Sequence, residues 1–222
     1  MNAFVFPGQG SQHLGMGADL YNSNQKAQQI FEDANEILGF KITDIMFGED
    51  QEALKQTNIT QPAIYIHSMV TALIANKFFK PDAVAGHSLG EFTALAAANY
   101  ISFEDGLRLV QKRAIAMQEA CEKNESSMAA IVGLDDNTVE DVCSQSKETL
   151  VAANYNCPGQ IVISGTINAV NIACNKLTEL GARRALVLPV RGAFHSPLMK
   201  SAEESLSKAI NNIQFKEGTC PI

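Results

Sequence analysis

Apolar residues recur along this chain with two periods, and the points where the period changes divide it into elements. Ala3 to Phe6 is a short apolar strand that stops at Pro7-Gly8-Gln9-Gly10-Ser11-Gln12. Ile30, Phe31, Ala34, Ile37 and Leu38 share one stripe at helical spacing, which predicts a helix over Gln25 to Leu38, closed by Gly39. Thr60-Gln61-Pro62 is expected to open a long buried helix, with Pro62 in the first turn, where its missing N–H costs nothing. The apolar stretch Ala63 to Phe79 carries His67, Ser68, Thr71, Asn76 and Lys77, so it reads as a core helix and not a membrane span. Pro81 resets the chain into a strand ending at Ala85, and the small-residue run Phe92 to Ala98 is helical.

The next helix, Phe103 to Cys121, starts at a capping box formed by Ser102 and Asp105. On a helical wheel Arg108, Gln111, Lys112, Gln118, Glu119 and Glu122 make the polar face. Gly106, Leu107, Leu109, Val110, Ala114, Met117, Ala120 and Cys121 lie opposite. From Ser127 the texture changes to short alternating elements. Strands are expected at Met128–Val132, Leu150–Ala153, Ile161–Ser164 and Arg184–Leu188, and helices at Asn137–Ser146 and Asn168–Leu180. That βαββαβ order is that of a ferredoxin-like unit. Asn154 to Gln160 reads as a polar loop inside it. Ser196 then looks like an N-cap and Pro197 like a first helical residue, with the helix continuing from Leu198 to Ile210.

Composition narrows the class. With 222 residues, 46% hydrophobic and 18% charged, the chain suits an α/β protein with a sizeable core. Cys121, Cys143, Cys157, Cys174 and Cys220 show neither C-x-x-C nor metal-like spacing; with no export signal ahead of the first strand, they read as reduced thiols in the cytoplasm. His13, His67, His87 and His195 are too scattered for a zinc site, and no metal is expected. A net charge of -7 argues against nucleic acid as a partner.

The candidate chemistry centres on Gly86-His87-Ser88-Leu89-Gly90. A G-x-S-x-G turn between a strand and a helix holds a serine at the tip, where the first helical N–H groups can meet a developing oxyanion. A solvent-exposed serine in an ordinary glycine loop is the blander alternative. Arg113 sits in the middle of an apolar helical arc, where a guanidinium must be paired, snorkel outward or face a cavity as an anion clamp. His195 lies just before a helix N-terminus, whose positive end favours neutral imidazole able to accept a proton; it is otherwise a structural histidine. Gly8-Gln9-Gly10 at the end of the first strand is either a ligand-binding edge or a connecting turn.

Phe6-Pro7-Gly8-Gln9-Gly10-Ser11-Gln12, Gly86 to Glu91, Arg113, Asn154 to Gln160 and Ala193-Phe194-His195-Ser196 occur in the order seen in malonyl-CoA:acyl carrier protein transacylases. The chain resembles that family over nearly its whole length, and the Gly-Ala-Phe-His-Ser wording is most similar to the stand-alone enzymes that serve polyketide synthases. The resemblance implies an α/β-hydrolase-like large subdomain, residues 1–125 and 190–222, with an inserted ferredoxin-like small subdomain, residues 126–189. It implies ping-pong acyl transfer. Ser88 would take malonyl from malonyl-CoA with His195 as base and release coenzyme A, and the phosphopantetheine thiol of an acyl carrier protein would then take it from Ser88. Gln9 and Leu89 would supply the oxyanion hole, Arg113 would bind the malonyl carboxylate, and Phe194 and Met117 would line the acyl pocket. No bound cofactor is expected, nor a membrane partner, and the chain would act as a monomer. Family chains continue beyond the region matched by Thr219-Cys220-Pro221-Ile222, so the C-terminal part of the family domain is expected to be absent. Two other readings use the same residues: an acyl hydrolase that clears carrier-bound acyl groups, and a non-catalytic carrier-binding module.

Overall fold

The computed structural model describes residues 1–190 and 192–222, and they form a mixed α/β protein. Two units emerge, one of residues 1–115 and 206–222, the other of residues 116–205.

In the first unit β1 (Ala3–Phe6) and β2 (Ala83–Gly86) pair in parallel, with Phe6 opposite Gly86. A parallel pair needs a long crossover. Helices α1 (Ala18–Ser23), α2 (Gln25–Leu38), α3 (Ile42–Phe47), α4 (Gln51–Lys55) and α5 (Thr57–Ala75) supply it. Ile64, Tyr65, Ile66, Met69 and Val70 of α5 are buried on almost every side and pack with Phe31, Ala34 and Leu38 of α2. Burying each such large side chain stabilises the fold by about 1.5–3 kcal/mol, so this helix holds the unit together. Helix α6 (Gly90–Ala97) leaves β2 at once, and α7 (Phe103–Lys123) starts where expected, the Asp105 amide donating to Ser102 Oγ at 2.9 Å and that hydroxyl donating to the Asp105 carboxylate at 2.7 Å. The Val84 amide of β2 donates to the Pro221 carbonyl at 3.0 Å, and the Thr219 amide to the Ala98 carbonyl at 2.8 Å. The chain's last residues are thereby tied to the strand and helix that flank Ser88.

Pro62 does not lie in the first turn of α5. The helix begins at Thr57, because Gln56 adopts an extended conformation and its carbonyl accepts from the amides of both Ile59 and Thr60. Pro62 is therefore interior, where the missing N–H removes one helical hydrogen bond.

The second unit contains β3 (Ser126–Val132), α8 (Asp136–Ser144), β4 (Leu150–Cys157), β5 (Gln160–Thr166), α9 (Ile167–Glu179) and β6 (Arg184–Val187), the βαββαβ order read from the sequence. The sheet is antiparallel with strand order β4-β5-β3-β6. One face buries Ala129, Ile131, Ile161 and Ile163 against Val139, Val142, Val170 and Leu177 of the two helices. The other buries Met128 and Val162 against Ala116, Met117, Ala120, Phe194 and Met199. Covering both faces explains the unbroken apolar runs in β3 and β5. Asn154 to Cys157 is strand and not loop: Asn154 pairs with Val162 and Tyr155 with Ile161, the register shifting at bulges on either side. The ladder to β5 pairs one side of this edge strand through backbone groups, whatever the side chains. Before α10 (Lys200–Ile210), Pro197–Met199 forms a 3-10 turn capped by Ser196, so the final α-helix begins two residues later than Leu198. Among the described residues, no helix is long and apolar enough to cross a membrane.

Candidate active site

In the first unit β1 and β2 end side by side, and the turn His87-Ser88-Leu89 passes between the end of β2 and the start of α6. Its tightness shows in what its glycines touch. A Cβ on Gly86 would lie 1.9 Å from the carbonyl carbon of Gly90, and one on Gly90 would lie 2.2 Å from the carbonyl oxygen of Phe6. No side chain fits there. The backbone folds so sharply that Ser88 has φ 54°, a left-handed conformation that a non-glycine residue adopts only where its surroundings impose it. The Gly90, Glu91 and Phe92 amides bond back to His87, Ser88 and Leu89. Among the described residues neither the Leu89 amide nor the Gln9 amide donates a hydrogen bond. Gln9 sits on the loop after β1, where a Cβ on neighbouring Gly8 would lie 2.6 Å from the His87 carbonyl oxygen. The loop carrying Gln9 is thus packed against the turn carrying Ser88.

Arg113 comes to the same place from α7. Its guanidinium donates from Nη2 to Ser88 Oγ at 2.9 Å and from Nη1 to Gln61 Oε1 at 2.5 Å. It also lies 5.9 Å from the centre of the Phe92 ring. The residue is only 8% exposed, and burial pulls its pKa down to about 10, opposed by the nearby Glu91 carboxylate. It keeps its charge at neutral pH. Among the described residues its direct partners are a neutral amide and a hydroxyl, and no carboxylate forms an ion pair with it. A buried cation held by neutral groups retains most of its pull on an anion.

Gln61 is a residue that sequence reasoning passed over. It is completely buried. The signal was available: an amide inside the apolar run of α5 needs a partner.

His195, Phe194 and Met117 belong to the second unit. His195 also has a left-handed backbone, φ 58°, and precedes the capped 3-10 turn. Its segment is held by serine hydroxyls: Ser164 Oγ donates to the Phe194 carbonyl at 2.7 Å, Ser126 Oγ accepts from the Ala193 amide at 2.9 Å, and Ser196 Oγ donates to the Ala193 carbonyl at 2.6 Å. Ser126 and Ser164 are both buried, and neither is distinguished by any sequence motif. Phe194 and Met117 fall in one apolar cluster with Ala120, Val162 and Met199. The structure thus brings together Ser88, Leu89, Arg113 and the Gln9 loop in one unit, and Phe194, Met117 and the His195 segment in the other.

A family profile described as an acyl transferase domain matches residues 3–221. A malonyl CoA-acyl carrier protein transacylase of Staphylococcus aureus (strain MRSA252) is 42% identical over 223 residues, covering 99% of this chain and 72% of that protein. The solved structure of the malonyl CoA-acyl carrier protein transacylase of Coxiella burnetii superposes with a TM-score of 0.95 at 38% identity, covering 99% of this chain and 71% of that one. A malonyl-transacylase solved in complex with its type II polyketide synthase acyl-carrier protein gives a TM-score of 0.94 at 37% identity, covering 99% and 72%.

Proposed function

This chain belongs to the acyl transferase domain family, and from that premise we propose that it moves malonyl from malonyl-CoA to the phosphopantetheine thiol of an acyl carrier protein, in fatty-acid or polyketide synthesis. The observation that carries the reading is the buried Arg113 guanidinium in contact with Ser88. An acyl group bonded to Ser88 and bearing its own carboxylate places that carboxylate within reach of a charged fork.

In the first half-reaction Ser88 Oγ attacks the thioester carbonyl and passes its proton to His195. The Gln9 and Leu89 amides receive the oxyanion, and Arg113 holds the carboxylate. The carbon–sulfur bond breaks, coenzyme A leaves with the proton, and a malonyl-serine ester remains. In the second half-reaction the carrier thiol attacks that ester and restores Ser88. Phe194 and Met117 line the acyl pocket. The chemistry uses side chains and backbone alone, with malonyl-CoA as substrate, coenzyme A as product and no bound cofactor.

We assign residues 1–125 and 190–222 to an α/β-hydrolase-like large subdomain and residues 126–189 to an inserted ferredoxin-like small subdomain. The parallel pair feeding the serine turn and the βαββαβ order support this. A cytoplasmic location fits the five free cysteines. Intact-mass analysis tests the function. Malonyl-CoA should add one malonyl group to Ser88, the adduct should survive in water, and carrier protein should discharge it. An adduct lost to water before carrier is added would indicate a hydrolase, and no adduct on folded protein a carrier-binding module.

A further inference from the structure

Arg113 points its fork at the group that must react. Nη2 donates to Ser88 Oγ at 2.9 Å while Nη1 is tied to the buried Gln61 and the Phe92 ring flanks the guanidinium. We propose that Arg113 masks Ser88 until a carboxylate arrives, so that the site selects its acyl group by reactivity as well as by fit. This rests on Ser88 being the nucleophile and Arg113 the carboxylate acceptor, and adds a resting role for the arginine.

The physical basis is a competition for one donor. The serine oxygen attacks through a lone pair, and an N–H bond from a cation draws density from it. A hydroxyl offers the guanidinium one neutral acceptor, whereas a carboxylate offers two charged ones in the geometry of the fork. A carboxylate-bearing acyl group therefore displaces Ser88 from Arg113 as it docks, and a neutral acyl group does not. If only a fraction of the chain has an unmasked serine, the rate with a neutral acyl group falls by that fraction. Simple binding selectivity lacks this feature: an acyl group without a carboxylate should react faster when a separate carboxylate occupies Arg113.

Formate supplies that carboxylate, since an acetyl group and a formate together are the two halves of malonyl. The unaltered chain is treated with 4-nitrophenyl acetate, and acetylation of Ser88 is followed by intact mass. In this step the bond from Ser88 Oγ to the acetyl carbon forms, the bond to 4-nitrophenolate breaks, and the serine proton passes to the base. Formate should raise the rate saturably, by roughly tenfold, the factor by which a charge-assisted bond outweighs a neutral one; chloride at equal ionic strength should not. Arg113→Met should react at the stimulated rate without formate and gain nothing from it. If that variant does not fold, the formate titration on the unaltered chain decides alone. A rate that formate leaves unchanged or lowers, or an Arg113→Met variant slower than the unaltered chain, overturns the proposal. Malonyl-CoA labelling separates the two claims: malonyl-Ser88 without formate stimulation removes only the masking, whereas no adduct from either reagent removes the nucleophile assignment too.

Discussion

Ser88 and His195 share a left-handed backbone, at φ 54° and 58°, yet their surroundings impose it by different means. At Ser88 main chain packs on main chain: Gly86, Gly90 and the Phe6 carbonyl approach so closely that no Cβ fits. At His195 the holding groups are side chains, the hydroxyls of Ser126, Ser164 and Ser196 reaching the backbone of Ala193 and Phe194. Backbone packing cannot be relaxed without moving the strands, whereas each hydroxyl can be removed singly. The serine turn should therefore fail abruptly under mutation and the histidine segment by degrees.

The sharpest way to break that contrast is Gly86→Ala. Overpacking against the Gly90 backbone should cost at least about 3 kcal/mol and abolish acylation. Thermal unfolding read beside intact-mass labelling checks it, and a well-folded, active variant would show that the turn can yield. Next in size is Arg113→Ala, which should lower malonyl transfer relative to acetyl transfer by roughly ten- to hundred-fold; equal losses with both acyl-CoAs would remove the clamp. Ser164→Ala leaves the buried Phe194 carbonyl short of a donor, at a cost of about 1–3 kcal/mol. It should slow acylation by malonyl and acetyl alike, so the ratio of the two kcat/KM values is the readout. Gln61→Ala should do the reverse, raising KM for malonyl-CoA by roughly tenfold while acetyl transfer holds, since a hydrogen bond between a neutral acceptor and a charged donor is worth about 1.5 kcal/mol or more. The smallest effect is with pH. Burial lowers the Arg113 pKa only to about 10, so folded and unfolded chains both hold that proton at neutral pH and it adds no slope to stability there. Malonyl preference should stay flat from about pH 6 to about pH 8.

The same contrast decided what could be read from sequence. Glycine spacing around Ser88 is local, so the turn, the strand before it and the helix after it were legible together. Arg113 was legible as a charge out of place on an apolar face, although its partners, Gln61 and Ser88, were not. Ser126 and Ser164 left no trace, because a hydroxyl that meets the backbone of residues 193 and 194 across the fold has no spacing rule. The βαββαβ order was legible from alternating short runs, but Asn154 to Cys157 was read as loop, since polarity there hid a strand whose ladder bonds are made by backbone. Pro62 misplaced the start of α5 because Gln56 caps the helix with its carbonyl, and residue type does not register that. Helices α1, α3 and α4, of five or six residues each, are too short to show a period.

Central to all of this is the proposal that Arg113 gives Ser88 a preference for an acyl group bearing a carboxylate. Competition labelling tests it most directly. The chain is offered malonyl-CoA and acetyl-CoA at equal concentration, and the masses of the two Ser88 adducts are compared with those formed on Arg113→Ala. Malonyl-Ser88 should dominate on the unaltered chain by at least roughly tenfold and lose that lead in the variant. Equal adducts on the unaltered chain, or the same malonyl excess on both proteins, would contradict it.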